Sequence, residues 1–180
     1  MVDFLIVGIF KGDNRKDSVP KFIKQIKIVR ELKKKDLIDK IIFSTWYGVV
    51  DDNLRKFISE NGVILIEKEE PKIGKDYSNY RKQIISIKNG LEKCENELVF
   101  KTRTEVLISQ DLLIDLIKNK DKYLPRIDNG IFKRKMWIPW FISQKPFYMS
   151  DECYFGALCD IKKMLKFDPS WDIFNNKSKG

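Results

Sequence analysis

The chain has 180 residues, enough for one domain with a proper core, and its 43% hydrophobic and 34% charged content excludes disorder as its resting state. With 35 Lys+Arg against 26 Asp+Glu, the formal net charge of +9 favours anionic partners without choosing among nucleotide diphosphates, phosphorylated glycans, nucleic acid or an anionic membrane surface. The count of zero His excludes Ser-His-Asp and Cys-His catalysis and every His-containing metal site, while three cysteines without a Cys-x-x-Cys pair indicate neither a disulfide framework nor a zinc site.

Phe4 to Phe10 reads as a buried first strand. Asp3 beside it, the missing basic n-region and the short apolar core argue against a signal peptide. A turn through Gly12 follows, then a helix opened by Ser18 as N-cap with Pro20 in the first turn. Phe22, Ile23, Ile26, Val29 and Leu32 recur at helical spacing, so the lysines lie on the opposite face. Lys40 to Trp46 is the second strand, with a polar end at Ser44, Thr45 and Trp46. A short helix over Leu54 to Glu60 ends at Gly62, and Val63 to Ile66 is the third strand. Strands alternating with helices at this spacing predict an α/β fold with parallel strands flanked by helices.

Glu67 to Asp76 is a charged loop, and the next helix runs from about Ser78 to Cys94 with two stripes. Tyr80, Ile84, Ile87 and Leu91 form the apolar one. Asn79, Gln83, Ser86 and Gly90 form the other, with Ser86 and Gly90 small enough to let the helix approach the sheet. Asn79 and Arg81 occupy the first turn, where free backbone N–H groups favour an anion; an ordinary helix start with a surface arginine fits equally well.

Leu98, Val99 and Phe100 form an apolar run that turns abruptly into Lys101, Thr102, Arg103, Thr104 and Glu105. Ligands of open α/β sheets bind beyond the carboxyl ends of the strands, so this polar end is where a site belongs; a strand running into a solvated turn is the plainer alternative. Asp111 to Lys118 is a short amphipathic helix. Residues 121–150 form an aromatic-rich, β-containing excursion whose prolines break any long helix, with its Trp and Phe mostly in the core. The last element is predicted as a helix from Ser150-Asp151-Glu152 through Tyr154, Phe155, Leu158, Ile161 and Leu165, its acids capping the first turn; 168–180 is a polar tail. The whole chain, 1–180, is read as a single domain in the reduced cytosol, and any membrane contact is peripheral, at the inner face.

Four segments in this order resemble the WavE family of lipopolysaccharide-synthesis proteins, regarded as glycosyltransferases with a GT-A-like, Rossmann-like fold. They are Phe43 to Trp46, Asn79 to Gln83 continuing through Ser86 and Gly90, Lys101 to Glu105, and Ser150-Asp151 through Phe155-Gly156. The resemblance implies transfer of a sugar from a nucleotide-diphosphate donor to an acceptor hydroxyl of a glycan or lipid-linked glycan. It assigns Ser44, Thr45 and Trp46 to the donor pocket, Asn79 and Arg81 to the diphosphate or ribose, and Asp151 to the role of general base, although capping explains Asp151 as well. Where the related enzymes carry Asp-x-Asp, this chain has Arg103-Thr104-Glu105. Glu105 then serves as a single ligand for Mg²⁺ or Mn²⁺, or Arg103 and Lys101 neutralise the phosphates directly. A non-catalytic nucleotide-sugar or glycan binder assisting a partner transferase is the rival reading. Nucleic acid is disfavoured because the cations are scattered and no recognition motif is present.

Overall fold

The computed structural model describes residues 1–10, 15–72, 78–127, 130–139 and 152–166, with backbone alone at 15 and 78–81. Its centre is a five-stranded sheet in the order β3-β2-β1-β4-β5. The strands are β1 (Val2–Val7), β2 (Ile38–Trp46), β3 (Ile64–Lys68), β4 (Leu98–Arg103) and β5 (Cys153–Ala157). The first four are mutually parallel, and β5 runs antiparallel to β4. The helices are α1 (Arg15–Lys33), α2 (Asp52–Glu60), α3 (Ser78–Leu91), α4 (Gln110–Lys118), α5 (Lys120–Tyr123) and α6 (Leu158–Met164). This is the mixed α/β, mainly parallel architecture that the alternation of elements predicts.

Both faces of the sheet are covered, which is why Phe4 to Val7 of β1 and Leu98 to Phe100 of β4 are continuous apolar runs. Phe4, Ile6, Phe43 and Phe100 point to one side, into a core completed by α1, α2 and α4. Leu5, Val7, Ile42 and Val99 point to the other and meet Ile84, Ile87 and Leu91 of α3 and Ile161 of α6. Phe10, beyond the strand, packs on Phe22 and Phe43 at centroid distances of 5.2 and 5.7 Å. The one charged side chain of β1, Asp3, is fully buried at the end of the sheet away from the carboxyl edge. It accepts hydrogen bonds from the backbone N–H groups of Glu95 and Asn96 at 2.7 and 2.9 Å and from the Asn96 amide at 2.7 Å, so the turn before β4 is fastened to β1.

Strand β3 lies one to two residues later than expected, α3 ends at Leu91 rather than Cys94, and three further differences have clear physical causes. The first strand stops at Val7, because Gly8 takes φ 140° and turns the backbone out of the sheet. Helix α1 starts at Arg15, so Ser18 and Pro20 lie inside it rather than at its start; Pro20 removes only the hydrogen bond to the Lys16 carbonyl, a tolerable loss near a helix end. The largest correction concerns Cys153 to Ala157, which form strand β5 and not the beginning of a helix. An apolar five-residue run fits either element, and the open edge of β4 decides the matter by pairing Thr102 with Cys153 and Leu98 with Ala157. Helix α6 therefore begins only at Leu158, and Tyr154 and Phe155 are not helical; Ser150 and Asp151, expected to cap that helix, lie outside the described residues.

Within the excursion, Trp137 exchanges backbone hydrogen bonds with Phe155 at 2.9 and 3.0 Å and its ring lies 6.2 Å from that of Phe100. The buried Asp160 carboxylate accepts from the N–H groups of Lys133 and Arg134, tying the same segment to α6. Trp140 and Phe141 lie outside the described residues, as do Asp151 and the tail from 168.

Candidate functional site

The chain runs from β1 through β2 to β3 on one side of β1, then crosses to β4 on the other, so the order reverses between β1 and β4. At such a switch point the connections leaving the two strands diverge and leave a crevice at the carboxyl edge. A cleft of about 270 Å³ opens there. Val7 with Gly8 and Ile9 beyond it from β1, Ser18 from α1, Trp46 from β2, Glu70 after β3, Lys82, Gln83 and Ser86 from α3, and Arg103 at the end of β4 with Glu105 beyond it line the cleft.

The strand register brings these groups level. Val7 pairs with Ser44 on one side and Arg103 on the other, so the ends of β1 and β4 stand level and β2 runs two residues further, to Trp46. The chain leaving β1 is then held from both neighbours. Thr45 Oγ1 donates to the Gly8 carbonyl at 2.7 Å, and the Thr104 N–H donates to the Val7 carbonyl at 3.1 Å. The Thr104 hydroxyl lies 3.3 Å from the Ile9 carbonyl and 3.1 Å from a Glu105 carboxylate oxygen, and its single proton serves one or the other. Gly8 is required here twice over: its φ is one that side chains rarely adopt, and a Cβ would lie 2.7 Å from Thr104 Oγ1.

Helix α3 forms the wall opposite. Ser44 Oγ donates to the Ser86 carbonyl at 2.7 Å while Ser86 Oγ donates to the Ser44 carbonyl at 3.1 Å, a reciprocal pair buried under the cleft. One turn further on, a Cβ at Gly90 would stand 2.3 Å from Leu5 Cδ1, so the small-residue stripe read from the chain does let the helix lie against the sheet. Lys82, one position before Gln83 and four before Ser86, projects from the same face and is paired with Glu70 at 3.0 Å. Arg103 is ion-paired with Glu105, both partly exposed. The cleft therefore carries two cations, each matched by a carboxylate from an adjoining loop, with an indole at its side.

Several residues expected in a donor pocket have other places. Trp46, Arg103 and Glu105 line the cleft. Ser44 and Thr45 are buried, and their hydroxyls hold α3 and the β1 connection rather than facing the cleft. Lys101, expected at the phosphates, is 1% exposed inside β4, because the strand continues two residues past the polar transition; its ammonium lies 5.1 Å from the centre of the Tyr154 ring. Asn79 and Arg81 occupy the first turn of α3, with their side chains outside the described atoms. Lys82 and Glu70 were not singled out from the chain, although counting back four from Ser86 finds Lys82.

Among the described residues no group of three or more Cys, Asp or Glu is placed to hold a metal ion, and no helix is long and apolar enough to cross a membrane. No protein-family profile and no curated protein matches this sequence. Solved structures do resemble its fold. The bifunctional IspDF from Campylobacter jejuni superposes with TM-score 0.52 at 15% identity, over 94% of this chain but only 44% of that one. A CMP:2-keto-3-deoxy-manno-octonic acid synthetase complexed with CTP gives TM-score 0.50 at 10% identity, over 94% of this chain and 79% of that one. The class established by the sheet, its switch point and these likenesses is a Rossmann-type α/β fold, mixed and mainly parallel.

Proposed function

We propose that this chain is a transferase of nucleotide-activated sugar, of the WavE type, moving a glycosyl group from a nucleotide-diphosphate donor to an acceptor hydroxyl in bacterial surface-glycan synthesis. The observation that carries the reading is the switch-point cleft with Arg103 and Lys82 on facing walls beside Trp46. The shared fold with a synthetase solved with CTP supports a nucleotide in such a cleft.

In this reaction the bond from the anomeric carbon to the diphosphate oxygen breaks, and negative charge grows on the departing diphosphate. Arg103 and Lys82 neutralise it, Arg103 with two parallel N–H donors suited to a phosphate. Their present partners, Glu105 and Glu70, are exchanged for the stronger phosphate charge on binding. The acceptor hydroxyl loses its proton to a carboxylate, and the reading assigns that task to Asp151, two residues before β5. Where Mg²⁺ or Mn²⁺ accompanies the donor, Glu105 is a hard oxygen ligand in the cleft that fits it, and the ion adds to the neutralisation of the diphosphate.

The test is thermal stability against nucleoside diphosphates and their sugars, each with and without Mn²⁺, followed by sugar transfer with Asp151→Asn. Ligand at a hundredfold its Kd stabilises the folded state by about 2.7 kcal/mol, so a true donor raises Tm measurably. A selective rise together with turnover that Asp151→Asn abolishes supports the transferase. A rise without turnover in the parent chain points to the non-catalytic binder, and no rise with any nucleotide defeats both.

A further inference from the structure

Helix α1 carries seven cations and two acids along its 19 residues. Its buried side, with Phe22, Ile26, Val29 and Leu32, faces the sheet, so the charges gather on the other. Lys16, Lys24, Lys27 and Lys34 follow one another at helical spacing down the outward stripe, flanked by Lys21 and Arg30, and all six are exposed. The acids on that side are Asp17, in the first turn, and Glu31, which is paired with Lys34 at 2.6 Å, so cations outnumber acids there six to two. From Lys16 to Lys34 the row extends roughly 27 Å. The exposed face of α2 is different in kind, since its Arg55 and Lys56 are each matched by a glutamate.

We infer that the outward face of α1 is a docking surface for an anionic lipid bilayer. Charge complementarity commits it to that occupant: a straight row of flexible lysines matches a planar sheet of smeared negative charge, and lysines close to such a surface attract it at about 1 kcal/mol each. A single-stranded nucleic acid is read instead by aromatic platforms within a basic groove, and this stripe has neither. The inference does not depend on which reaction the cleft supports.

The experiment is sedimentation of the full chain with vesicles of phosphatidylcholine alone or with an equal amount of phosphatidylglycerol. Binding is expected only to the anionic vesicles, weakening steeply as salt rises. The triple variant Lys16→Glu, Lys24→Glu, Lys27→Glu should lose on the order of a hundredfold in partition, at roughly fivefold for each removed lysine, with unchanged circular dichroism and Tm. Lys56→Glu on α2 is the control and should bind as the parent does. No binding to anionic vesicles overturns the inference. So does equal loss from the Lys56→Glu control, or tighter binding to duplex DNA than to the vesicles at the same ionic strength. If the triple variant fails to fold, Lys24→Gln with Lys27→Gln should show a smaller loss, on the order of 25-fold, without reversing charge.

Discussion

The Thr104 hydroxyl occupies the space that a side chain on Gly8 would need, 2.7 Å from the position of its missing Cβ. One residue after β1 and one after β4 thus define each other at the floor of the cleft. Gly8→Ala is expected to destabilise the fold by about 1–3 kcal/mol, from the unfavourable φ and the clash together. Adding Thr104→Ala should recover the part due to the clash but not the part due to φ. Urea denaturation of both single variants and the double variant checks this: strict additivity contradicts the contact.

At the other end of the same wall, two effects compete at Gly90. Alanine favours a helix over glycine by about 1 kcal/mol, yet its Cβ would stand 2.3 Å from the fully buried Leu5. Overpacking a filled core typically costs about 1–3 kcal/mol, so packing should win and Gly90→Ala should unfold at lower urea. Combining it with Leu5→Val, which removes a methylene at the contact, should return part of the loss. A stabilised Gly90→Ala single variant would show that α3 stands further from the sheet than described.

The ion pair between Arg103 and Glu105 leads to opposite outcomes for its two members. Replacing Arg103 with Ala should weaken binding of a nucleoside diphosphate by about tenfold or more, the size of a charged hydrogen bond of about 1.5–3 kcal/mol. Glu105→Gln removes the carboxylate that competes for Arg103 and should tighten binding severalfold when no divalent ion is added. With Mn²⁺ present the same change should weaken binding if the ion uses Glu105. Calorimetric titrations with and without Mn²⁺ measure both.

Burial makes two of the three thiols poor nucleophiles. Desolvation pushes Cys94 up to about 12, with the Asp3 carboxylate adding to it, and pushes Cys153 up to about 11. Neither should react with a thiol reagent at pH 8 until the protein unfolds, and Cys159, partly exposed, should be labelled first. Because folding raises these values, the stability they contribute is complete below the unfolded thiol value near 9.0 and is lost as pH climbs toward 11–12. Mass-resolved labelling and urea midpoints between pH 8 and 11 test the two statements.

Much of this architecture is legible along the chain because its causes are local. Uninterrupted apolar runs at Leu98 to Phe100 and Phe4 to Val7 announce strands covered on both faces, and the Gln83, Ser86, Gly90 stripe announces a helix pressed close to a sheet. Parallel strands share a carboxyl edge, so the polar ends at Trp46 and Arg103 had to meet once the βαβ reading was made.

Other features depend on partners distant in sequence, and no local pattern encodes them. Cys153 to Ala157 became a strand because β4 had an unpaired edge to fill. Lys101 was drawn inside because the same pairing carried β4 past its apolar run. Ser44 and Thr45 were spent on Ser86 and Gly8, 42 and 37 residues away, since a hydroxyl buried beside a carbonyl is more stable bonded than left bare. Sequence periodicity by itself determined the four parallel strands, the helices between them and the edge where the site lies, but not strand β5. Which polar residues face the cleft, and which hold it together, was decided by long-range packing and the need of every buried polar group for a partner.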